Sequence, residues 1–308
     1  MMRMSLCGCL AGIACNGSAR AQAPAPDSAA ANGQNEEAFR TAMERLKSPN
    51  AAERAAAADE MGKRGYRFRH EIAGALRPLL ERDPDPLVRA AAGRALGRLG
   101  VRDAVPDLIA ALDDKSPEVR VVAAAALWRL PDPAATDALA RHLGDTDPAV
   151  REWSVQALGV IGEPRVTSDV VRLLSDPVRA VRVSAVLSLG RIGDPAGLDP
   201  LVQYLAKGER DDEEKAETAN AIAAIRSPQK TEALLKLLAA SNQDQAQRLR
   251  LIAALGQVGT SDVTPKLRAY TASSAPPAVR KAANEAIASI VARTQAGKAS
   301  ESGAAKPK

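Results

Sequence analysis

Aspartate and arginine recur along this chain at a spacing that could support chemistry. Each aspartate precedes an arginine by six residues, and the pair returns every 31 residues. The four pairs are Asp83 with Arg89, Asp114 with Arg120, Asp145 with Arg151, and Asp176 with Arg182. A row of carboxylates could supply general acids and bases, and a row of guanidinium groups could bind phosphates. Because the pair returns once per copy of the surrounding segment, we interpret it as part of the architecture.

The elements that hold these pairs are copies of one segment, most clearly residues 83–100. A valine precedes each arginine, and a leucine follows that valine by eight residues, giving Leu96, Leu127, Leu158 and Leu189. A Gly or Pro turn divides each copy into two stretches with apolar residues at helical spacing. A fixed period of this size predicts a solenoid, in which each copy buries its apolar face only by stacking on its neighbours. Counting the copies predicts about seven units, with half-units at the ends.

Composition restricts both the kind of core and the kinds of function. Hydrophobic residues make up 46% of the 308 residues and aromatic residues only 2%, so the core must consist of small contacts among Ala, Leu and Val. The net charge of +5 is weaker than expected of a dedicated nucleic-acid-binding protein. All three cysteines lie within residues 1–15, which excludes cysteine chemistry from the repeats.

The first residues are typical of an exported bacterial protein. Arg3 is followed by a short apolar run and by the small-residue pattern Ala19-Arg20-Ala21, which predicts a signal peptide over residues 1–21. Acylation of Cys15, as in a lipoprotein, is the alternative, although Gly12 stands where such signals carry Leu. The run is too short to span a membrane. We expect a periplasmic or cell-envelope location, a disordered linker over residues 22–35 and a disordered tail over residues 295–308.

The string V-R-x-x-A-x-x-A-L-G-x-[IL]-G-D-P, most complete over residues 181–195, resembles HEAT-type repeats, in particular the bilin-lyase-like (PBS lyase HEAT-like) subclass. The resemblance covers roughly residues 36–294. It implies an all-α fold, a right-handed α-solenoid of about seven stacked two-helix repeats. In that family the aspartate accepts from the turn backbone and the arginine bridges units, which implies a structural role for the four pairs. We therefore expect Arg151→Ala to destabilise the array by leaving Asp145 without its partner.

Enzymes built on this repeat supply the main alternative to a scaffold. Deoxyhypusine hydroxylase holds a di-iron centre with several His-Glu pairs, whereas this chain has one such pair, His70-Glu71, and one further histidine, His142. We expect no metal, no cofactor and no catalytic residue. Bilin lyases act as paired subunits on a tetrapyrrole. An enzyme or enzyme subunit of lyase or isomerase type stays open as the alternative, although no local pattern marks a pigment pocket.

Nucleic-acid binding is a further alternative, because HEAT-like alkylpurine glycosylases use aromatic and acidic residues in a basic groove. Trp128 and Trp153 are the aromatic candidates here. Trp128, however, occupies the position that is Gly97, Gly159 or Gly190 in other copies, so we expect it to fill a gap between helices. Together with the weak net charge, this favours a protein without a nucleic-acid partner.

The candidate binding surface comes from comparing the second helices, where the copies differ. One column carries Arg141, Arg172, Gln203 and Lys236, and the next carries His142, Tyr204 and Tyr270. Tyr and Arg are favoured at interfaces, and second helices usually line the concave surface of such an array. We predict an exported scaffold or adaptor that binds there a protein or peptide partner, or an anionic cell-envelope component. The alternative, that Arg and Lys merely solvate an exposed helix face, stays open.

Overall fold

The structure is a computed structural model, and it describes residues 28–64, 68–206, 211–225, 227–241 and 244–303. All regular secondary structure within these ranges is helical. The α-helices are α1 (Ser28–Arg45), α2 (Ala51–Arg64), α3 (Arg69–Arg82), α4 (Pro86–Leu99), α5 (Val105–Ala111), α6 (Pro117–Arg129), α7 (Thr136–Arg141), α8 (Pro148–Ile161), α9 (Thr167–Arg172), α10 (Arg179–Ile192), α11 (Leu198–Ala206), α12 (Asp212–Ala224), α13 (Lys230–Ala240), α14 (Gln245–Val258), α15 (Thr264–Arg268) and α16 (Pro277–Gly303). Within the same ranges, no helix is both long and apolar enough to cross a bilayer.

From α2 onward the described helices form seven consecutive pairs, α2 with α3 through α14 with α15, followed by α16. We call the even-numbered member the first helix and the odd-numbered member the second helix. Each first helix packs on the first helix of the next pair, and each second helix also packs on the first helix that follows it. The chain divides into two compact units, Met1–Thr41 and Ala42–Lys308, and this stack belongs to the second. The prediction of an all-α solenoid is confirmed.

The first helices begin and end at residues whose chemistry sets those limits. Asp85 stands before α4, and its side chain accepts from the main-chain N–H of Leu87 at 2.8 Å, an N-cap followed by proline at the first helical position. At the other end Gly100, Gly162 and Gly193 have φ angles of 69°, 78° and 70°. This left-handed conformation is costly for residues with a Cβ atom, so glycine ends these helices and turns the chain toward the second helix.

Columns of aliphatic residues form the core between the helices. Val88, Val119, Val150 and Val181 have no exposed surface, and Leu96, Leu127, Leu158 and Leu189 are at most 1% exposed. Full burial of each such side chain stabilises the fold by roughly 1.5–3 kcal/mol relative to leaving it in water. Since these contacts join successive pairs, each pair depends on its neighbours for a core.

Small residues let neighbouring first helices approach closely. A Cβ atom built on Gly97 of α4 would lie 2.7 Å from the Cβ of Ala126 on α6, and one built on Gly159 of α8 would lie 2.8 Å from the Cα of Ser188 on α10. Such distances leave no space for a side chain. In α6 the equivalent position is Trp128, so the α6–α8 contact departs from the rule that the other copies follow.

Both ends of the helical region extend beyond the sequence-based limits. Helix α1 begins at Ser28, within the predicted 22–35 linker, and α16 continues to Gly303, within the predicted 295–308 tail. The added segments contain several alanines, the residue with the highest helix propensity, and sequence periodicity alone does not detect a helix without an apolar stripe. The predicted leader, residues 1–21, lies outside the described residues.

Candidate functional site

The repeated arginines form bidentate ion pairs with aspartates of the following pair of helices. Arg89 donates through Nε and Nη2 to Asp114 at 2.7 and 2.8 Å, and Arg120 donates to Asp145 at 2.8 Å through both nitrogens. Arg54 with Asp83 and Arg151 with Asp176 have the same geometry. The side chains of these four pairs are at most 15% exposed. We call this series the ladder.

The ladder links neighbouring units, as the resemblance implied, but each arginine binds the aspartate of the following copy and not that of its own copy. Arg151 touches Asp145 only through the main-chain oxygen, which accepts from Nη1 at 2.8 Å. The carboxylate that Arg151 binds is that of Asp176, and Asp145 is held by Arg120. The expectation that Arg151→Ala leaves Asp145 without its partner is therefore wrong. Two spacings place an arginine near an aspartate, six residues back and 25 residues forward, and sequence alone does not separate them.

Ladder carboxylates are held in the ionised form. Burial raises the pKa of Asp145, but hydrogen bonds from Arg120, from the Asp147 main-chain N–H and from His142 outweigh it and lower the pKa to about 2. The pKa values of Asp83, Asp114 and Asp176 are lowered in the same way, with burial opposing their arginine and backbone donors. Carboxylates that are ionised and hydrogen-bonded on both oxygens do not transfer protons at neutral pH. The ladder therefore has a structural role and not a catalytic one.

Tyr204 lies inside the molecule, so its predicted place on the binding surface is wrong. The residue is 3% exposed, and its hydroxyl donates to Glu214, a carboxylate that also accepts from Arg182 at 3.0 Å. Here Glu214 takes the place that an aspartate holds in the regular steps. The charged insertion before α12 displaces the acid from its usual spacing, and the tyrosine hydroxyl helps to satisfy the buried carboxylate.

His142 is tied to the ladder and is only 12% exposed. Its Nε2 lies 3.0 Å from Asp113 Oδ1, and its Nδ1 lies 3.3 Å from Asp145 Oδ2. The other histidine, His70, is exposed on α3. In the part of the chain that the structure describes, no group of three or more His, Cys, Asp or Glu residues could hold a metal ion. His142 thus stabilises the turn between α7 and α8, and little of its side chain is accessible to a partner.

The remaining predicted residues lie on the second helices. Arg141 ends α7 and Arg172 ends α9, and both are exposed, as are Gln203 of α11 and Lys236 of α13. Tyr270, just after α15, is partly exposed. We call Arg141, Arg172, Gln203, Lys236 and Tyr270 the second-helix surface. Arg172 pairs with Asp169 of its own helix, whereas Arg141 and Lys236 have no ion-pair partner among the described residues.

An acidic row accompanies the basic one. The first turns of the second helices carry Asp107, Asp137, Asp169, Asp199 and Glu232. Acids near helix starts and bases near helix ends both complement the helix dipole, so part of this pattern stabilises the helices themselves. The surface is consequently striped, with carboxylates along one edge and cations along the other.

A cavity of about 450 Å³ opens on the second helices between α3 and α5. Its lining includes Leu80 and Glu81 of α3 and Pro106, Asp107 and Ala110 of α5. Ala110 occupies the column that carries Arg141 and Arg172 in later copies, so a small side chain leaves space there. No pattern in the sequence indicates a cavity at this position.

Comparison with known proteins identifies the type of repeat. The profile of HEAT repeats matches in overlapping segments, residues 39–116, 73–158, 105–174, 141–216 and 198–288. An engineered protein of known structure is 20% identical with a TM-score of 0.54, over 86% of this chain and 81% of that chain. The complex of CpcE and CpcF of phycocyanin lyase from Nostoc sp. PCC7120 is 24% identical with a TM-score of 0.47, over 82% of this chain and 94% of that chain.

Human deoxyhypusine hydroxylase, solved in complex with glycerol, is 18% identical with a TM-score of 0.37, over 85% of this chain and 99% of that chain. Among proteins of curated function, none matches this sequence. Of these three structures, the engineered protein alone has a TM-score above 0.5 and bears on the fold, and at 20% identity it leaves function to the residues of the site.

Proposed function

This chain belongs to the HEAT-repeat family, and we propose that it is a scaffold whose second-helix surface binds an acidic segment of a protein partner. The observation that carries the proposal is the exposed column of Arg141, Arg172, Gln203 and Lys236 on four successive second helices. The ladder explains the repeated residues, and this column is where the copies differ.

The partners of the cations support this assignment. The ladder arginines from Arg54 to Arg151 each bind a carboxylate with two nitrogens, so their charge is neutralised inside the protein. Arg141 and Lys236 are exposed and form no ion pair with any described residue. An unpaired guanidinium can bind a partner carboxylate bidentately, and arginine and tyrosine are both enriched at interface hot spots.

The column also limits the size of the partner segment. Packed helices lie about 8–10 Å apart, so four successive second helices span about 30 Å. An extended chain covers about 3.3 Å per residue, which makes a segment of about nine residues sufficient to reach from α7 to α13. Carboxylates within that segment would face the cations. A continuation of about three residues would bring an apolar or aromatic side chain to Tyr270, which lies one second helix further along.

A photo-cross-linking experiment tests the proposal. Benzoylphenylalanine placed at Gln203 should give a discrete adduct with one partner in cells, because Gln203 is exposed in the middle of the column. The matched control is the same substitution at Asn220, which is exposed on the first helix α12. Identical adducts from both positions, or no adduct from Gln203, would contradict a partner on the second-helix surface.

Export is a separate part of the proposal. It is supported by the leader pattern of residues 1–21 and rests on the sequence alone. The mass of the protein recovered from cells tests it: a chain that begins at Gln22, or one lipidated at Cys15, is expected. Recovery of a chain that still begins at Met1 or Met2 would contradict export.

An enzymatic role is the alternative, since the repeated string most complete over residues 181–195 resembles the bilin-lyase-like subclass of this repeat. The two functions differ in what the purified protein carries. A scaffold should contain no bound chromophore and no stoichiometric metal. Absorbance in the visible range, or one metal ion per chain by elemental analysis, would count against the scaffold and favour the enzyme.

A further inference from the structure

We propose that the outer side of first helices α6, α8 and α10 is a second interaction surface, which binds an acidic amphipathic helix of a partner protein. Its centre is the group formed by Trp128, Trp153, Val160 and Leu187, which we call the tryptophan patch. The proposal is independent of the second-helix surface, because it concerns the other helix of each pair.

Trp128 stands where stacking requires a small residue. Gly62, Gly97, Gly159, Gly190 and Gly256 occupy this position in other first helices, and in each a Cβ atom would come within 3.0 Å of the next first helix. The Nε1 of Trp128 is buried and makes no hydrogen bond with any described residue. A buried donor without a partner costs roughly 1–3 kcal/mol. The copies that have glycine at this position do not carry this cost.

The two tryptophans form an aromatic pair at the surface. Their ring centroids are 5.6 Å apart with an interplanar angle of 63°, an edge-to-face arrangement between α6 and α8. Both residues are partly exposed. Half-buried tryptophans already fixed by a neighbour lose little side-chain entropy on binding, which is a property of interface hot spots.

Two exposed aliphatic residues extend the aromatic pair toward α10. Gly159 of α8 and Ser188 of α10 are in direct contact. Val160 follows Gly159 and Leu187 precedes Ser188, so on two parallel helices these residues point to the same side of that contact. They are 41% and 36% exposed, among the most exposed large hydrophobic residues described. Together with the tryptophans they form an apolar surface that a monomer does not need.

The charges around the patch indicate what binds it. Val160 occupies a column that is Lys63, Arg98, Arg129 and Arg191 on other first helices, so it lies between Arg129 and Arg191. The Cζ atom of Arg129 lies 5.7 Å from the centroid of the Trp128 ring. Arg129 and Arg191 are exposed and form no ion pair among the described residues. Glu118 and Glu152 lie two or more turns toward the helix starts. The acids just after these helices have partners in the turns: Asp132 and Asp194 accept from main-chain N–H groups, and Glu163 pairs with Arg165.

An apolar side chain between two unpaired cations fits a helix whose apolar stripe is flanked by glutamates. Such a helix would place its Leu or Phe anchors against Trp153, Val160 and Leu187 and its carboxylates against Arg129 and Arg191. A second copy of this chain fits less well, because two-fold association through the patch would bring the arginines of both copies together.

Intrinsic fluorescence tests the proposal directly, because Trp128 and Trp153 are the two tryptophans of the 308-residue chain. The probe is a synthetic helix without Trp, with Leu at i, i+3, i+4 and i+7 and Glu on both flanks. We expect a saturable emission change with the full-length protein. Val160→Asp should weaken binding at least tenfold. The control, Val291→Asp, changes a valine of equal 41% exposure on α16 and should not change binding.

Reversing the charges beside the patch tests the same proposal independently, in case Val160→Asp disturbs folding. Arg129→Glu with Arg191→Glu should abolish binding of the Glu-flanked helix and permit binding of a Lys-flanked version. Equal binding of both helices to the unsubstituted protein would overturn the acidic partner. Absence of saturable binding, a shift seen only with anionic phosphatidylglycerol vesicles, or a Val160-dependent dimer in sedimentation would overturn the proposed occupant.

Discussion

Arginine has two roles in this chain, and its immediate surroundings separate them. Arg89, Arg120 and Arg151 are nearly buried, bind a carboxylate with two nitrogens and donate a third to a main-chain oxygen. Arg141 is exposed and has no carboxylate partner among the described residues. The first group joins successive helix pairs, and the second is available to a partner.

Removal of a ladder arginine should destabilise the protein. Arg151→Ala leaves the Asp176 carboxylate, which is 5% exposed, without its cation and should lower the free energy of unfolding by about 3 kcal/mol. Arg151→Lys should have a free energy of unfolding between those of the original protein and Arg151→Ala, since the lysine ammonium keeps the charge but cannot form the bidentate pair. The control, Arg141→Ala, should stay within about 0.5 kcal/mol of the original in urea unfolding. Equal stability of Arg151→Ala and Arg141→Ala would show that the ladder does not stabilise the array.

The ladder also predicts a specific loss of stability in acid. A carboxylate with a lowered folded-state pKa stabilises the fold above its unfolded pKa and loses that contribution as pH falls through the folded value. For Asp145 this range runs from about pH 4, the unfolded value, to the folded pKa of about 2. The free energy of unfolding should fall over this range, and less steeply in Asp145→Asn. Equal slopes in both proteins would contradict the role of Asp145.

At the scale of the elements, close contact between first helices depends on glycine at one position. Ala126 lies against Gly97 closely enough that any added side chain must separate α4 from α6. Gly74 of α3 has nothing within 4 Å of an added Cβ atom. Because both are helical glycines, alanine at either position gains the same helix propensity, and only the steric term differs.

These two glycines give a matched pair of substitutions. Gly74→Ala should raise the free energy of unfolding by about 0.5–1 kcal/mol, because the unfolded chain loses freedom and the folded state has space. Gly97→Ala should lower it by about 1–3 kcal/mol through overpacking. Thermal melting of both variants compares the two effects. A stabilised Gly97→Ala variant would mean that the first helices can separate at no cost.

The pairing of helices was predictable from the sequence, but the carboxylates that individual side chains bind were not. The period of the Val-Arg pairs and the Gly and Pro turns predict the stack of two-helix units that the structure has. Spacing alone could not show that Arg151 binds Asp176 and not Asp145, because both lie within reach. Tyr204 was misplaced because the insertion before α12 shifts its acid to Glu214. An alignment column predicts a surface only while the repeat stays regular.

At the scale of the whole molecule, the residues that the copies share and those in which they differ have separate roles. Shared Asp, Arg, Gly and Leu residues build the ladder and the core of the array. Differences are concentrated in two places, the column of Arg141, Arg172, Gln203 and Lys236 on the second helices and the tryptophan patch on the first helices. A scaffold with two such surfaces could hold two partners at once.

The most direct test reverses the charges of the second-helix surface. In protein carrying the cross-linker at Gln203, Arg141→Glu, Arg172→Glu and Lys236→Glu together should abolish the adduct and leave the melting temperature unchanged. The matched control, Lys63→Glu, Arg102→Glu and Lys281→Glu, makes the same change in net charge at exposed positions elsewhere and should keep the adduct. An adduct that survives the first triple substitution, or is lost equally in both, would contradict partner binding at the second-helix surface.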